Sequence, residues 1–393
     1  MKLLIVTQKV DQNDDVLGFF HDWLIEFAKQ CEKITVICLN KGAYDLPENV
    51  KVLSLGKETG ESRIKYLVNF YKYIWQERKN YDIVFVHMNQ IYVVLGGVIW
   101  RLLKKKIGFW YAHGQVGIGL KLAEKLTNYI FTPTADSFRV ASKKINVLGH
   151  GIDTEKFSAR GGSPPDRSRP LRLAKRVGQV ACDGGRGALG GKGQMLKAKN
   201  NNEINIITIG RISPSKDYET LVLAMANWRD RQPNKKFKIS IIGKPGDPSQ
   251  EKYLERLRGS VTEKKLNGQI NFIGSIPNKD IVGYLQSADL FINMSHTGGL
   301  DKAVLEAMAC GVPVITCNET FEKILGALKN KLMFVKKNWQ QLADRMESVL
   351  AMSLEEKAEL GQELREIAVK NHNLVSLINK IKKIYQTNGK ASF

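Results

Sequence analysis

Acid is scarce in this chain of 393 residues: 39 Asp and Glu stand against 60 Lys and Arg, a net charge of +21. A surplus of that size points to a polyanionic partner, whether nucleic acid, an anionic membrane surface or an acidic substrate. Nucleic acid is the weakest of the three, because there is no basic helix, zinc finger or aromatic-basic RNA-binding pattern. Cysteine is also rare. Cys31, Cys38, Cys182, Cys310 and Cys317 are odd in number and show no metal-ligand clustering, which fits buried thiols in a reducing cytoplasm. Long apolar runs are missing, since the longest uncharged one, residues 91–100, is too short to cross a bilayer. The opening Met1-Lys2-Leu3-Leu4-Ile5-Val6-Thr7 is too short and too β-like for a signal peptide, and is expected to be a first strand. No Asp-x-Asp pair stands where a metal site would need one, and Asp136 and Asp289 are isolated, so the expectation is metal independence.

What remains describes a globular protein of two or three domains, with 43% hydrophobic and 25% charged residues. Short apolar runs alternate with amphipathic helical patterns, the rhythm of parallel α/β sheets. In the first half, strands are expected at 3–7, 34–38, 50–53, 83–87, 107–112, 129–132 and 145–148, with helices at 19–31, 65–79, 93–103 and 120–126. The second half offers strands at 204–209, 238–242, 270–273, 290–294, 314–316 and 332–335, with helices at 217–228, 250–263, 279–287 and 302–309. This pattern predicts two doubly wound domains facing each other, followed by a helical tail at 338–385 whose Leu374, Ile378, Ile381 and Ile384 need a hydrophobic surface to cover.

Residues 158–199 differ in kind, with no aromatic residue, no isoleucine, and ten basic side chains against two acidic ones. So little apolar surface cannot offset ordering entropy, and disorder is expected. The abrupt change to Gly, Arg and Pro suggests a foreign or out-of-frame insertion. Arg101, Lys104, Lys105 and Lys106, at and beyond the end of an apolar helix, suit anionic lipid headgroups.

The most informative text is Gly298-Gly299-Leu300-Asp301-Lys302-Ala303-Val304-Leu305-Glu306, followed by Ala307-Met308-Ala309-Cys310-Gly311-Val312-Pro313. It reads as a glycine loop entering a short helix with one carboxylate, then a turn and a buried strand. Backbone N–H groups and a helix N-terminus suit a diphosphate, and a carboxylate two turns on can accept from a ribose diol. Upstream, Gly210-Arg211-Ile212-Ser213-Pro214-Ser215-Lys216 follows a buried strand. Arg211 sits at that strand's carboxyl end and Lys216 is expected in the next helix's first turn, a pair of cations able to clamp a diphosphate.

These segments, with Ser287-Ala288-Asp289-Leu290-Phe291-Ile292 and His150-Gly151-Ile152-Asp153-Thr154-Glu155-Lys156-Phe157, resemble the retaining glycosyltransferases of glycosyltransferase family 4, which have the GT-B fold of two Rossmann-like domains with a cleft between them. The resemblance covers nearly all of the chain outside 158–199. It implies an acceptor-side domain at 1–157, a Gly/Arg-rich linker at 158–200, a nucleotide-sugar domain at 201–370, and a final helix in 371–393 packing back on the first domain. It further implies that Arg211 and Lys216 hold the donor diphosphate, that Glu306 binds the ribose, and that Gly210 and residues 298–304 line the donor. His113 matches the histidine that approaches the donor sugar, and Gly18 and His87 fall on the acceptor side. His296 lies beside the donor loop. The family often has a glutamate eight positions before Glu306, where this chain has Gly298, and Asp301 and Lys302 replace small residues.

The expected reaction is therefore retaining transfer of a hexose-type sugar, by front-face attack, from a nucleoside diphosphate donor to a glycan or lipid-linked acceptor. No carboxylate pair for double displacement is visible. No cofactor beyond the donor is expected, and the work is placed in the cytoplasm, peripheral on the inner face of the plasma membrane. Gly298 also motivates a second reading, a catalytically weak nucleotide-sugar binder within an assembly complex. A third, a sugar-nucleotide epimerase of the same fold, is disfavoured by the Gly210–Lys216 text.

Overall fold

The computed structural model describes residues 1–159, 203–296 and 299–387. Gly298, and all of the 158–199 segment except Ser158 and Ala159, lie outside that set. The first sheet is formed by β1 (Lys2–Val10), β2 (Lys33–Lys41), β3 (Val50–Ser54), β4 (Ile83–His87), β5 (Lys106–Trp110), β6 (Tyr129–Thr132) and β7 (Ile145–Val147). All pairs are parallel, in the order β3-β2-β1-β4-β5-β6-β7. Such strands are covered on both faces and read as continuous apolar runs. Alternate residues of β1 serve the two sides. Leu3 and Ile5 meet α1 (Phe19–Ala28), while Leu4 and Val6 meet the layer of α2 (Arg63–Gln76), α3 (Gln90–Leu102) and α4 (Ile118–Leu126).

The second sheet comprises β8 (Glu203–Ile209), β9 (Lys236–Ile242), β10 (Ile270–Gly274), β11 (Leu290–Asn293) and β12 (Val314–Thr316), parallel in the order β10-β9-β8-β11-β12. It is covered by α5 (Tyr218–Arg231), α6 (Pro248–Glu263), α7 (Ile281–Ser287), α8 (Lys302–Ala309), α9 (Glu322–Leu325), α10 (Lys329–Leu332), α11 (Trp339–Leu350) and α12 (Leu354–His372). The strand order reverses beside β1 in one sheet and beside β8 in the other. Loops leaving neighbouring strands there diverge to opposite faces and open a crevice at the carboxyl ends.

One expected strand is absent. Residues 332–335 contribute only an isolated bridge from Met333 to Thr316, because the polar turn Lys329-Asn330-Lys331 closes as α10 and delivers the chain to the sheet edge too late to pair further. The tail is helical. After α12, which starts on a Ser353–Glu356 capping box, α13 (Leu374–Gln386) returns to the first sheet and buries Leu374, Leu377, Ile378, Ile381 and Ile384 against Leu3, Ile5, Phe20 and Trp23. Each such side chain contributes about 1.5–3 kcal/mol relative to exposure. The segment before the undescribed stretch is held by the same junction. Ile152 N donates to His372 O at 2.7 Å, Leu374 N to Ile152 O at 2.8 Å, and Arg365 reaches the carbonyls of Thr154 and Phe157 at 3.1 and 3.0 Å.

Among the described residues no helix is long and apolar enough to cross a membrane. Cys31, Cys38, Cys310 and Cys317 are buried free thiols, and Cys182 lies outside the described residues.

Candidate functional site

The crevice of the second sheet is built from the loops after β8 and β11, on either side of its reversal point. After β8 the chain turns at Gly210, whose N–H donates to Ile242 O at 2.9 Å and whose carbonyl accepts from Tyr218 Oη at 2.9 Å. That close approach depends on Gly243, at φ +147, because a Cβ there would stand 2.0 Å from Gly210 O. Lys216 lies in the 3-10 turn Pro214–Lys216 and not in the first turn of α5, which starts only after Asp217 at φ 47. The left-handed residue interrupts the helix and lets Lys216 fold back over Gly210. Arg211 is exposed and runs the other way, past Gly246.

Lys216 finds its partners across the crevice. Its Nζ donates to Asp301 Oδ1 at 2.6 Å and Ser295 Oγ at 3.1 Å, both groups of the pair being about one-sixth exposed (15% and 17%). Asp301 Oδ2 accepts from Asn293 Nδ2 at 3.1 Å, and the Asn293 amide oxygen accepts from Thr316 at 2.9 Å. Asn318 completes the frame by donating to Gly299 O at 2.8 Å. Asn293, Ser295, Thr316 and Asn318 are buried, and none of them announces itself in the sequence. Asparagine and threonine ending two adjacent apolar strands were the available signal.

Asp301 is the N-cap residue of α8, but its side chain makes no capping bond because Lys216 holds it elsewhere. Glu306, two turns on, is buried and accepts from Asn278 Nδ2 at 3.0 Å and from Lys302. Both bonds fall on Oε1, so Oε2 accepts none among the described residues. Asn278 Oδ1 is buried and has no hydrogen-bond partner among the described residues. Lys302 also stands 4.7 Å from the Phe19 ring and 5.5 Å from that of Phe157, which ties the start of α8 to residues of the first half. Leu300 and Val304 point into the core, and Ala303 packs on it, so they have only backbone to offer a ligand.

The first half meets this crevice at two places. Gly299 approaches the Ala112 carbonyl, which a Cβ would reach at 3.7 Å, and this brings the loop before α8 beside the chain segment that carries His113. His113 is exposed just beyond β5, and partial desolvation holds its pKa below 6.5. The loop after β1 bonds to the second sheet's loops through Asp15–Lys244 at 3.2 Å and Lys279–Asn13 at 2.6 Å. Gly18 shapes that loop, since a Cβ would lie 2.4 Å from Asp14 O. His87 is different. It is buried, stacked on Phe20 at 3.9 Å, bonded to Thr7 at 3.2 Å, and its pKa is pushed down to about 3 by burial. It is a core histidine enclosed by rings, with no route to a ligand in the crevice. His296 Nε2 lies 3.1 Å from Asp217 Oδ2, and the His296 backbone N–H donates to Ser215 O at 3.0 Å, bracing the Lys216 turn. Among the described residues no three His, Cys, Asp or Glu converge as a metal cluster.

Residues 196–368 match the protein family described as glycosyl transferases group 1. Among curated relatives, alpha-monoglucosyldiacylglycerol synthase of Acholeplasma laidlawii is 31% identical over 36% of this chain and 35% of its own length. A putative colanic acid biosynthesis glycosyltransferase of Escherichia coli is 24% identical over 42% of this chain and 40% of its own. The chain thus spans about a third of the first of these relatives. Solved structures align over nearly the whole chain. Anabaena HepE, in complex with UDP and glucose, has a TM-score of 0.72 at 17% identity, covering 98% of this chain and 100% of that one. Sucrose-phosphate synthase from Thermosynechococcus elongatus gives 0.70 at 17%, covering 100% of both.

Proposed function

We propose that this chain, whose residues 196–368 match the glycosyl transferases group 1 and whose fold is GT-B, is a retaining, metal-independent transferase moving a hexose-type sugar from a nucleoside diphosphate to a glycan or lipid-linked acceptor. The observation that carries this reading is the placement of Lys216 and Glu306 about the first turns of α8, at the reversal point of the second sheet. An ammonium suits the diphosphate there, and Arg211, on the same loop but exposed at the rim, can swing in to a second phosphate oxygen. The open Oε2 of Glu306 suits the ribose diol, with Lys302 and Asn278 fixing the carboxylate from the other side. UDP and glucose in the complex of the structurally similar HepE, and the glycolipid and polysaccharide names of the relatives, support the same substrate classes.

In the reaction the donor's C1–O bond to the diphosphate breaks as the acceptor hydroxyl oxygen bonds to C1 on the same face, and the hydroxyl proton passes to the departing diphosphate oxygen. The electron pair leaves with the diphosphate, where Lys216, Arg211 and the backbone N–H groups opening α8 stabilise it. His113, next to the carbonyl that faces Gly299, approaches the sugar in this reading. Asp301 exchanges Lys216 for a sugar hydroxyl and supplies the acid that position 298 does not. The acceptor is taken up at the cytoplasmic face of a membrane.

Titration with UDP-, GDP- and ADP-sugars by thermal shift tests the donor assignment, because a ligand of the native state raises its apparent stability. Lys216→Ala is expected to weaken the best donor by roughly tenfold to a hundredfold, the weight of a charge-assisted bond. An unchanged shift in both Lys216→Ala and Arg211→Ala removes the diphosphate from this crevice. A second reading, a nucleotide-sugar binder with little turnover, is favoured by one finding: both ligand-facing charges are already paired, Lys216 with Asp301 and Glu306 with Lys302. Release of free nucleoside diphosphate in the presence of acceptor extracts separates the two.

A further inference from the structure

The helical layer over the first sheet carries apolar side chains on both of its faces. Inward, Phe70 and Ile74 of α2, Tyr92, Val93 and Trp100 of α3, and Leu120 and Ala123 of α4 join one core with β1, β4 and β5. Outward, each helix repeats the pattern at helical spacing. On α2 the stripe is Ile64, Val68 and Trp75, exposed by 76%, 54% and 57%. On α3 it is Ile91, Val98 and Leu102, the last exposed by 79%, and on α4 it is Ile118 and Leu122, with Ile118 at 87%. The helices are neighbours in one layer, since Tyr71 Oη bonds Leu95 O at 3.2 Å between α2 and α3, and Gly97 of α3 abuts Leu126 of α4. Scattered exposed leucines need no explanation, but three adjacent outward stripes form a face.

Cations frame those stripes. Lys65, Lys72, Arg101, Lys104, Lys121 and Lys125 are exposed, and none is ion-paired among the described residues. The nearby acids are engaged elsewhere or are few: Glu77 is buried and bonded to Lys51 and Asn80, and Glu124 takes Ser142 and Lys144. Asp82 lies 3.9 Å from Lys105. Aliphatic and tryptophan side chains set among unpaired lysines match an interfacial bilayer surface, which offers acyl chains beneath anionic headgroups. A second copy of the same face would set cation against cation, and a nucleic acid would leave the apolar stripes without a partner.

We infer that the outer face of α2, α3 and α4 docks on an anionic lipid bilayer. All three helices run away from the crevice side, so Ile64, Ile91 and Ile118 lie at that edge, and Ile118, which opens α4, follows His113 by five residues. A docked chain thus holds the mouth of its crevice against the bilayer, where a lipid-linked acceptor is drawn in sideways. What docking achieves rests on the transferase reading, whereas docking itself does not.

The test is flotation of the full chain with vesicles of phosphatidylcholine alone and of equimolar phosphatidylcholine and phosphatidylglycerol. Binding is expected to the anionic vesicles only and to weaken with salt. Arg101→Gln/Lys104→Gln/Lys121→Gln is expected to weaken partitioning by about fivefold per charge, roughly a hundredfold in all. Leu102→Ser/Ile118→Ser should also release the chain, while both variants keep the wild-type unfolding midpoint and donor thermal shift. Trp75, the exposed one of six tryptophans, should blue-shift on anionic vesicles, and Trp75→Phe should abolish that change. A wild-type chain that stays in solution with both vesicles overturns the inference, as does binding undiminished in both variants. Loss of self-association in Leu102→Ser/Ile118→Ser, without any vesicle binding, would assign the face to a second copy instead. Vesicle binding without any nucleotide-sugar shift leaves docking standing and defeats the transferase reading.

Discussion

Replacing Asp301 with Asn separates two effects of its carboxylate. In the free chain that group neutralises Lys216 at 2.6 Å and accepts from Asn293 at 3.1 Å. The pair is neither fully buried nor on the open surface. Removing one partner of a buried pair costs about 3–5 kcal/mol, whereas an exposed pair contributes about 0–1. A loss of about 1–3 kcal/mol is therefore expected for Asp301→Asn, read from the urea midpoint. Nucleotide binding should change in the opposite direction. A diphosphate reaching Lys216 must displace Asp301 and then lie near it, and two like charges ~4 Å apart repel by about 4 kcal/mol at an effective dielectric of 20. Much of that is relieved by the carboxylate's movement to a sugar hydroxyl. If about a third remains, Asp301→Asn binds the bare nucleoside diphosphate roughly tenfold more tightly, since tenfold corresponds to about 1.4 kcal/mol. Turnover of the intact donor should fall, because the amide holds the sugar hydroxyl less strongly. Calorimetric titration with nucleoside diphosphate and with donor reads both affinities. Equal or weaker binding of the nucleoside diphosphate by the variant would refute the claim that Asp301 and the phosphate compete for one ammonium. Full turnover in Asp301→Ala would remove Asp301 from the sugar.

Lys302→Met keeps the aliphatic contact with Phe19 and Phe157 but leaves Glu306 buried with Asn278 alone; a loss of about 3 kcal/mol is expected, followed by urea unfolding. Gly243→Ala forces the β8 and β9 loops apart at Gly210 O, so it should cost about 1–3 kcal/mol and reduce the donor thermal shift more than a substitution at Gly259, where a Cβ meets open space. Burial holds the pKa of His87 at about 3 and of His372 at about 4, below the unfolded value of about 6.5. Their contribution is complete above pH 6.5 and is lost as pH falls toward the folded values, at about 1.4 kcal/mol per pH unit for each, because the unfolded chain binds the extra protons. His372→Gln should flatten the pH dependence of the urea midpoint between pH 6.5 and 4, and a wild-type midpoint level across that range contradicts the assignment.

Strands and most helices were legible because burial on both faces of a parallel sheet leaves uninterrupted apolar runs such as Ile206-Ile207 and Leu290-Phe291-Ile292. The false strand at 332–335 failed for the same reason that it was attractive, since Leu332 and Phe334 are apolar and buried without belonging to a ladder. Lys216 was misplaced by one local decision, the left-handed Asp217, which stops helix α5 from reaching back over it. The partners of the candidate site were hidden by distance along the chain. Lys216 and Asp301 are 85 residues apart, and a sequence names each charge without saying which others it will face.

The order of residues by itself determined the fold class and the segments that form the crevice, because those depend on periodicity and on glycine and proline at fixed offsets, which are local quantities. Folding decided how charge is distributed within it. Sheet order sets β8 beside β11, so Lys216 is neutralised by Asp301 and Glu306 by Lys302, leaving Arg211 exposed at the rim. It also decided that α2, α3 and α4 share one outer layer, where stripes that look unremarkable helix by helix add up to an apolar, cationic face. Electrostatic and hydrophobic energies depend on separation in space, and only the packed chain sets those separations.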